Sequence, residues 1–450
     1  MGTKSNKVSQ DNILERIFKL TANQTNIRQE VVAGATIFMA MSYILFLNPT
    51  VLGAAGMDKG AVFVATALAT IVGCVATAFL SNYPIAIAPS LGSNAFFAYT
   101  VVQGMKIPWQ TALAGIFVAA LLFLLVTLFK IREKIIDNIP ADLKSAIAAG
   151  IGLFVAFVGL QNGGLVRASS STLLTITDFH DPTVWLTVFG LIFTLILICL
   201  KVPGNMLLGM VGTSIVGIIT GLIKMPQAVV APIPSLKPTF GQALFHLQDV
   251  FNPQMIIVIL IFFLVAFFDT TGTVVGLAEQ SGLIKRGGKV PPRLSKALLS
   301  DSLSMISSSV FGSSPTAAYV ESSTGIAVGG RTGLTSLTVA GLFGVSLFFS
   351  PLLAVVTSQV TAPIMIIVGA YMITAVGNID WSKFESSFPA FAVMVGMPLF
   401  YDIAYGFAFG VISYVLIMVA QKKGEQVSLI MYIAAIIFLI LLVAMNQAHY

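Results

Sequence analysis

The sequence predicts an all-α polytopic membrane protein built as two inverted repeats of seven segments, with the third segment of each repeat interrupted. Three observations predict it. Of the 450 residues, 57% are hydrophobic and only 9% charged, apolar runs recur along the whole length, and two broken runs stand at matching places in the two halves. An average soluble domain carries about 25% charged residues, so a soluble fold is excluded. A span needs about 20 mainly apolar residues to cross a hydrocarbon core of about 30 Å.

Taken in order, the runs are 29–51, 60–81, 84–102, 108–131, 139–162, 182–201 and 203–223, and then 251–279, 293–312, 313–329, 332–356, 359–378, 385–400 and 402–421. The chain therefore divides into a cytoplasmic N-terminal segment (1–28), a first repeat (29–223), a Pro-rich extracellular connection (224–250), a second repeat (251–421) and a C-terminal segment (422–450). Because seven is odd, the second repeat enters the membrane from the opposite side. Pro89 precedes Gly104 by 15 residues, and Pro315 precedes Gly330 by the same interval. Short spans broken by Gly and Pro at corresponding positions point to a transporter's binding site. The last apolar run, 427–446, is either an added span or an in-plane helix.

Basic residues follow topology rather than marking an acidic partner. Only Lys59, Lys106, Arg167, Lys224 and Lys237 fall in outer loops, and the remaining lysines and arginines fall inside, which places the N-terminus in the cytoplasm of a cell-membrane protein. The strongest cluster is Lys285, Arg286, Lys289, Arg293 and Lys296. No signal peptide is read in residues 1–28. Nucleic-acid binding is not indicated. Cys74 and Cys199 lie inside apolar runs, and His180, His246 and His449 fall in loops or the tail, so neither a disulfide framework nor a metal site is expected.

An ionised carboxylate at the bilayer centre costs about 2.5 to 3.5 kcal/mol on insertion scales, so each one there needs a local reason. Asp269, Glu279, Asp301, Glu321 and Asp402 qualify. Asp269, in LVAFFDTTGTVVG, is the most isolated charge, with the hydroxyls of Thr270, Thr271 and Thr273 beside it. Glu321, in SSPTAAYVESSTG, follows Pro315 by six residues. With the backbone extended to about Tyr319 and helical after it, Glu321, Ser322 and Ser323 fall in the first turn of a half-helix whose N–H groups point at the cavity. Asn94 is the matching polar residue of the first half, and its amide donates and accepts at once. Phe96, Phe97 and Tyr99 offer aromatic faces. Asp301 reads as a structural or proton-coupling group held by an amide or hydroxyl of the adjacent SMISSS run, while Glu279 and Asp402 are weaker candidates.

Two carboxylates and an amide suit a small planar solute rich in N–H donors, since a carboxylate accepts two parallel N–H bonds. No basic residue stands at midplane for an anion. Asp269, Glu321 and Asp301 are the candidates for exchanging a coupled proton. No other cofactor is called for. An enzyme would need a nucleophile with its base or a metal cluster, and a channel repeated polar faces around an oligomeric pore; neither pattern is seen.

At these residues the chain resembles the AzgA-like purine permeases, a branch of the nucleobase/ascorbate transporter superfamily. The likeness rests on RQEVVAGATIFMAMSYILFLNP, APSLGSNAFFAY, IPADLKSAIAAGIGLFVAFVGLQNGG, FFDTTGTVVG and YVESSTGIAVGGRTGLTS, and runs through almost all of the chain. It implies 14 spans in a core (spans 1–4 and 8–11) and a gate (spans 5–7 and 12–14), with short strands and half-helices in spans 3 and 10. It also implies uptake of hypoxanthine or guanine by proton symport and alternating access, and homodimers are common in the family. Carried over, the binding positions are Asn94, Asp269 and Glu321. Phe96, Thr270, Thr273, Tyr319 and Ser322, their neighbours in sequence, complete the expected solute-binding set. The chain departs from the family pattern at Ser90 and Ser93, where many relatives have smaller or more apolar residues. Another nucleobase or an anion on the same fold is the competing expectation.

Overall fold

Most apolar runs fold as helices within a few residues of where hydropathy sets them, and the exceptions carry the site. In this computed structural model the described residues are 13–129, 140–169, 172–177, 179–226, 228–280 and 292–448. Lys285, Arg286, Lys289 and His449 lie outside them, as do the side chains of Thr271, Glu279 and Arg293. Among the described residues, seven helical stretches are long and apolar enough to cross a membrane, and shorter apolar helices accompany them.

The first run is two helices, Ile27–Met41 and Ile44–Ala54, joined at Ser42 and Tyr43. Pro49 lies inside the second. Lys59–Ala76 continues as a π-helical turn to Ser81. The third run is broken as expected: strand β1, Ile87–Pro89, leads into Leu91–Ala95 and a π-helical stretch to Gly104. Trp109–Leu128 and Ala141–Asn162 follow. A hairpin of β2 (Val166–Ser169) and β3 (Leu173–Ile176), unforeseen from hydropathy, then precedes Pro182–Cys199 and Asn205–Ile219.

The second half repeats this order. Pro253–Gln280 and Pro292–Phe311 lead to β4, Thr316–Ala318, and the six-residue helix Ser322–Ala327. Gly333–Ser346, Ser358–Ile373, Phe384–Leu399 and Ile403–Ala420 complete it, the first two ending in 3-10 turns. Helix Leu429–Ala448 packs against 403–420, with Phe438 edge-on to Phe407. The two halves are thus inverted copies of one topology, and they meet where β1 pairs antiparallel with β4.

Packing separates two groups. Helix 292–311 lies against 59–76 and 109–128, helix 333–346 against 27–41 and 59–76, and helix 253–280 against 109–128. In the other group, helix 141–162 packs on 358–373 and 384–399, and 182–199 on 205–219. Lipid tails are as apolar as leucine, so close approach of backbones, more than hydrophobic burial, holds such helices together. The crossing of 141–162 and 358–373 shows this: a Cβ added to Gly369 would lie 2.4 Å from the Gly152 carbonyl oxygen, and one added to Gly152 would lie 2.8 Å from that of Gly369.

Candidate functional site

Backbone without regular helix survives at membrane depth only where its polar groups are paired inside protein. The two broken runs meet that demand by pairing with each other. Ile87 stands opposite Ala318, Ala88 opposite Ala317 and Pro89 opposite Thr316. The ladder extends one step each way, Ser90 N–H donating to the Pro315 carbonyl at 2.8 Å and Tyr319 N–H to that of Ala86 at 2.9 Å. Pro89 thus closes β1 just ahead of helix 91–95, and Pro315 stands immediately before β4.

A carboxylate stands near each end of this small sheet. Asp269, from helix 253–280, accepts the Ser90 hydroxyl on Oδ2 at 2.6 Å. Glu321, at the N-terminal boundary of helix 322–327, accepts the Tyr43 hydroxyl on Oε1 at 2.8 Å and makes no side-chain cap bond to its own helix. Tyr319 lies between them, its hydroxyl donating to the Pro89 carbonyl at 2.6 Å. Asp269 and Glu321 are both half-buried. Each commits one oxygen to one hydroxyl, and among the described residues the other side-chain oxygen of each remains an acceptor.

Behind the sheet lies a third carboxylate. Asp301 is fully buried and receives the Thr270 hydroxyl at 2.5 Å and, at a longer 3.5 Å, that of Thr316 in β4. It ties helices 253–280 and 292–311 to the strand. On the other side, Asn94 donates to Asn48 Oδ1 at 3.2 Å. A surface cleft of about 450 Å³, lined by Phe179, Trp185 and Phe189 among others, shares no lining residue with this site and is lined by no carboxylate.

With this geometry established, residues 28–409 match the family described as Permease family. The chain belongs to that family. It is 48% identical over 436 residues to the guanine/hypoxanthine permease PbuG of Bacillus subtilis, covering 95% of this chain and 99% of that one. It is 39% identical to the adenine permease AdeP of Escherichia coli, covering 98% of each. In three dimensions it resembles the transmembrane domain of a cyanobacterium bicarbonate transporter, BicA, at a TM-score of 0.64 and 19% identity, over 86% of this chain and 97% of that one. That likeness speaks to fold alone. The permease is a multi-pass membrane transporter and not an enzyme.

Within the permease, several residues stand elsewhere than the sequence suggested. The Thr270 hydroxyl serves Asp301, not its neighbour Asp269, because successive helical residues point about 100° apart. Asp301 accepts from Thr270 and Thr316, hydroxyls that stand outside the SMISSS run. The Ser322 hydroxyl accepts the Ala86 N–H at 3.0 Å, so it closes the sheet. Phe96 is enclosed edge-on against Phe262, their centroids 5.0 Å apart, and offers no open face. Thr273 is half-buried on helix 253–280. Asp402 caps its own helix by accepting the Tyr405 N–H.

Three contributors were not read from the sequence. Ser90, noted there only as a departure from pattern, holds Asp269. Tyr43 holds Glu321 from 278 residues away; its one sequence signal is a phenol in the middle of an otherwise apolar span. Glu30 is fully buried and accepts from the Arg331, Thr332 and Thr335 N–H groups and from the Thr332 and Thr335 hydroxyls, capping helix 333–346.

Proposed function

We propose that this permease imports purine nucleobases, hypoxanthine and guanine foremost and adenine as a further candidate, by proton symport across the cell membrane with its N-terminus cytoplasmic. The base docks beside the β1–β4 pair. Asp269 and Glu321 accept from its N–H edges through the oxygens their partner hydroxyls leave available, Asn94 supplies a third polar contact, and Tyr319 and Thr273 line the space between. One of Asp269, Glu321 and Asp301 carries the coupled proton. Segments 1–4 and 8–11 move as a core against a gate of segments 5–7 and 12–14, and the gate's apolar outer face suits a homodimer.

The observation that carries this reading is the pair of carboxylates, each given a single side-chain hydrogen bond, set about a strand pair that joins the two halves. A carboxylate meant only for structure at membrane depth would be saturated, since each missing bond to a charged group costs about 1.5 to 3 kcal/mol. Relatives that transport guanine, hypoxanthine or adenine add weight. The test is uptake of radiolabelled hypoxanthine, guanine, adenine and uracil in cells lacking their own permeases, with and without a protonophore. Purine uptake that collapses with the proton gradient is expected. Uptake of uracil alone, or purine uptake indifferent to the gradient, would refute the substrate or the coupling respectively.

A further inference from the structure

Asn48, in the second half of the first broken span, is fully buried and makes four hydrogen bonds, the full capacity of its amide. Its Nδ2 donates to Thr66 Oγ1 and Ser313 Oγ, both at 2.8 Å, while its Oδ1 accepts from Asn94 Nδ2 at 3.2 Å and Ser314 Oγ at 3.1 Å. The direction of this network is set at Thr66. Its hydroxyl proton goes to the Val62 carbonyl at 2.7 Å, one helical turn back, so Thr66 Oγ1 has only lone pairs to offer Asn48.

Rotating the Asn48 amide by 180° would therefore set oxygen against oxygen at a site where Thr66 is fully buried and water cannot mediate. With Asn48 so fixed, its Oδ1 faces Asn94, and Asn94 must answer with Nδ2. The Asn94 carbonyl is left pointing the other way. Asn94 is 1% exposed, and among the described residues its Oδ1 has no hydrogen-bond partner, yet it is not among the polar atoms sealed from space.

We propose that Asn48, locked by Thr66, is a positioning residue for selectivity: it dictates that Asn94 meets the solute as an acceptor. The inference rests on the reading of Asn94 as a solute contact. With Asp269 and Glu321 the site then offers a third acceptor, and at the one ring position that Asn94 meets it favours an amino group over a carbonyl, which for the preferred substrates means guanine over xanthine. Guanine against xanthine and adenine against hypoxanthine are the two pairs that differ in this way.

Inhibition constants of these four bases against labelled hypoxanthine uptake give the two amino-to-carbonyl ratios within each variant, so changes in protein abundance cancel. Thr66→Val, which keeps the shape and removes the lone pairs, frees the Asn48 amide and should narrow one ratio about tenfold, the factor that ~1.4 kcal/mol represents. Thr66→Ser, which retains the hydroxyl, should restore the wild-type ratio. Ser313→Ala removes a bond of the same length but leaves the lock, and should keep the ratio, whereas a merely structural role would respond to both lesions alike. If Thr66→Val does not reach the membrane, Thr66→Ala removes the same hydroxyl and is read the same way. Unchanged ratios in the hydroxyl-free variant overturn the proposal. Asn94→Ala separates the layers: should it leave all four constants unchanged, the reading of Asn94 as a solute contact has failed; should it alone change them, only the lock has.

Discussion

Glu30 and Glu321 are both carboxylates beside the start of a helix, but their surroundings differ in the number of bonds they receive. Glu30 takes three backbone N–H groups and two hydroxyls at the entry of helix 333–346 and has no exposed surface. Glu321 takes one phenol, stands half-buried, and leaves its own helix uncapped by its side chain. The first is a finished structural joint between the first and eleventh segments. The second, with Asp269, retains acceptor capacity. A carboxylate in an apolar protein thus reveals its role through how completely its lone pairs are used, more than through its depth.

The largest effect expected from breaking this contrast is at the saturated end. Glu30→Ala leaves three N–H groups and two hydroxyls without their acceptor, and loss of one partner from such a buried charged network costs about 3 to 5 kcal/mol. Folded protein recovered in detergent and its unfolding temperature should both fall sharply. A variant as stable as the wild type would show that these bonds are not what holds the joint.

Next come Asp269→Asn and Glu321→Gln. These should leave folded yield and unfolding temperature near wild type, because only one hydrogen bond is altered in each. Purine uptake per molecule should fall about tenfold to a hundredfold, the equivalent of a charge-assisted bond of about 1.5 to 3 kcal/mol. A loss of fold in place of a loss of transport would erase the distinction from Glu30.

Smaller still are Tyr43→Phe and Ser90→Ala. Each frees a carboxylate oxygen but keeps the carboxylate itself, so the low end of the range, about 1.5 kcal/mol, applies, and a change of up to about tenfold in apparent affinity, with a displaced pH profile of uptake, is expected. The smallest effect lies outside the membrane. The hydroxyl of Ser382, followed by Lys383, holds Asp380 down from 3.8 to about 2. A depressed carboxyl contributes stability above its unfolded value and loses it as pH falls through about 2, so Ser382→Ala should matter only to acid titration of Asp380, read by NMR, and not to transport.

Much of this was legible in the sequence, for a physical reason. Helix positions follow from the energetic demand that a span be apolar, and the interruptions at Pro89 and Pro315 show because proline removes a donor and restricts the residue before it. That Asn94, Asp269 and Glu321 each call for a local reason could be inferred from their polarity in apolar surroundings. Their partners could not. Ser90 with Asp269 and Tyr43 with Glu321 are joined across 179 and 278 residues, and only tertiary packing, of helix 253–280 on β4 and 91–95 and of helix 27–41 on 322–327, brings those hydroxyls within reach. Thr270 misled because adjacency in sequence is not adjacency on a helix. Glu30 escaped notice because it lies at the edge of its span, where a charge calls for no explanation, although the structure encloses it.

Ligand-dependent unfolding of the purified permease separates solute binding from folding in one experiment. A ligand that binds only the folded state at 100 times its Kd stabilises it by about 2.7 kcal/mol. Hypoxanthine or guanine should raise the unfolding temperature of the wild-type protein and stabilise Asp269→Asn and Glu321→Gln by about half as much or less, with all three unfolding alike in the absence of ligand. Equal stabilisation of the wild type and both variants would contradict the assignment of these carboxylates to the solute.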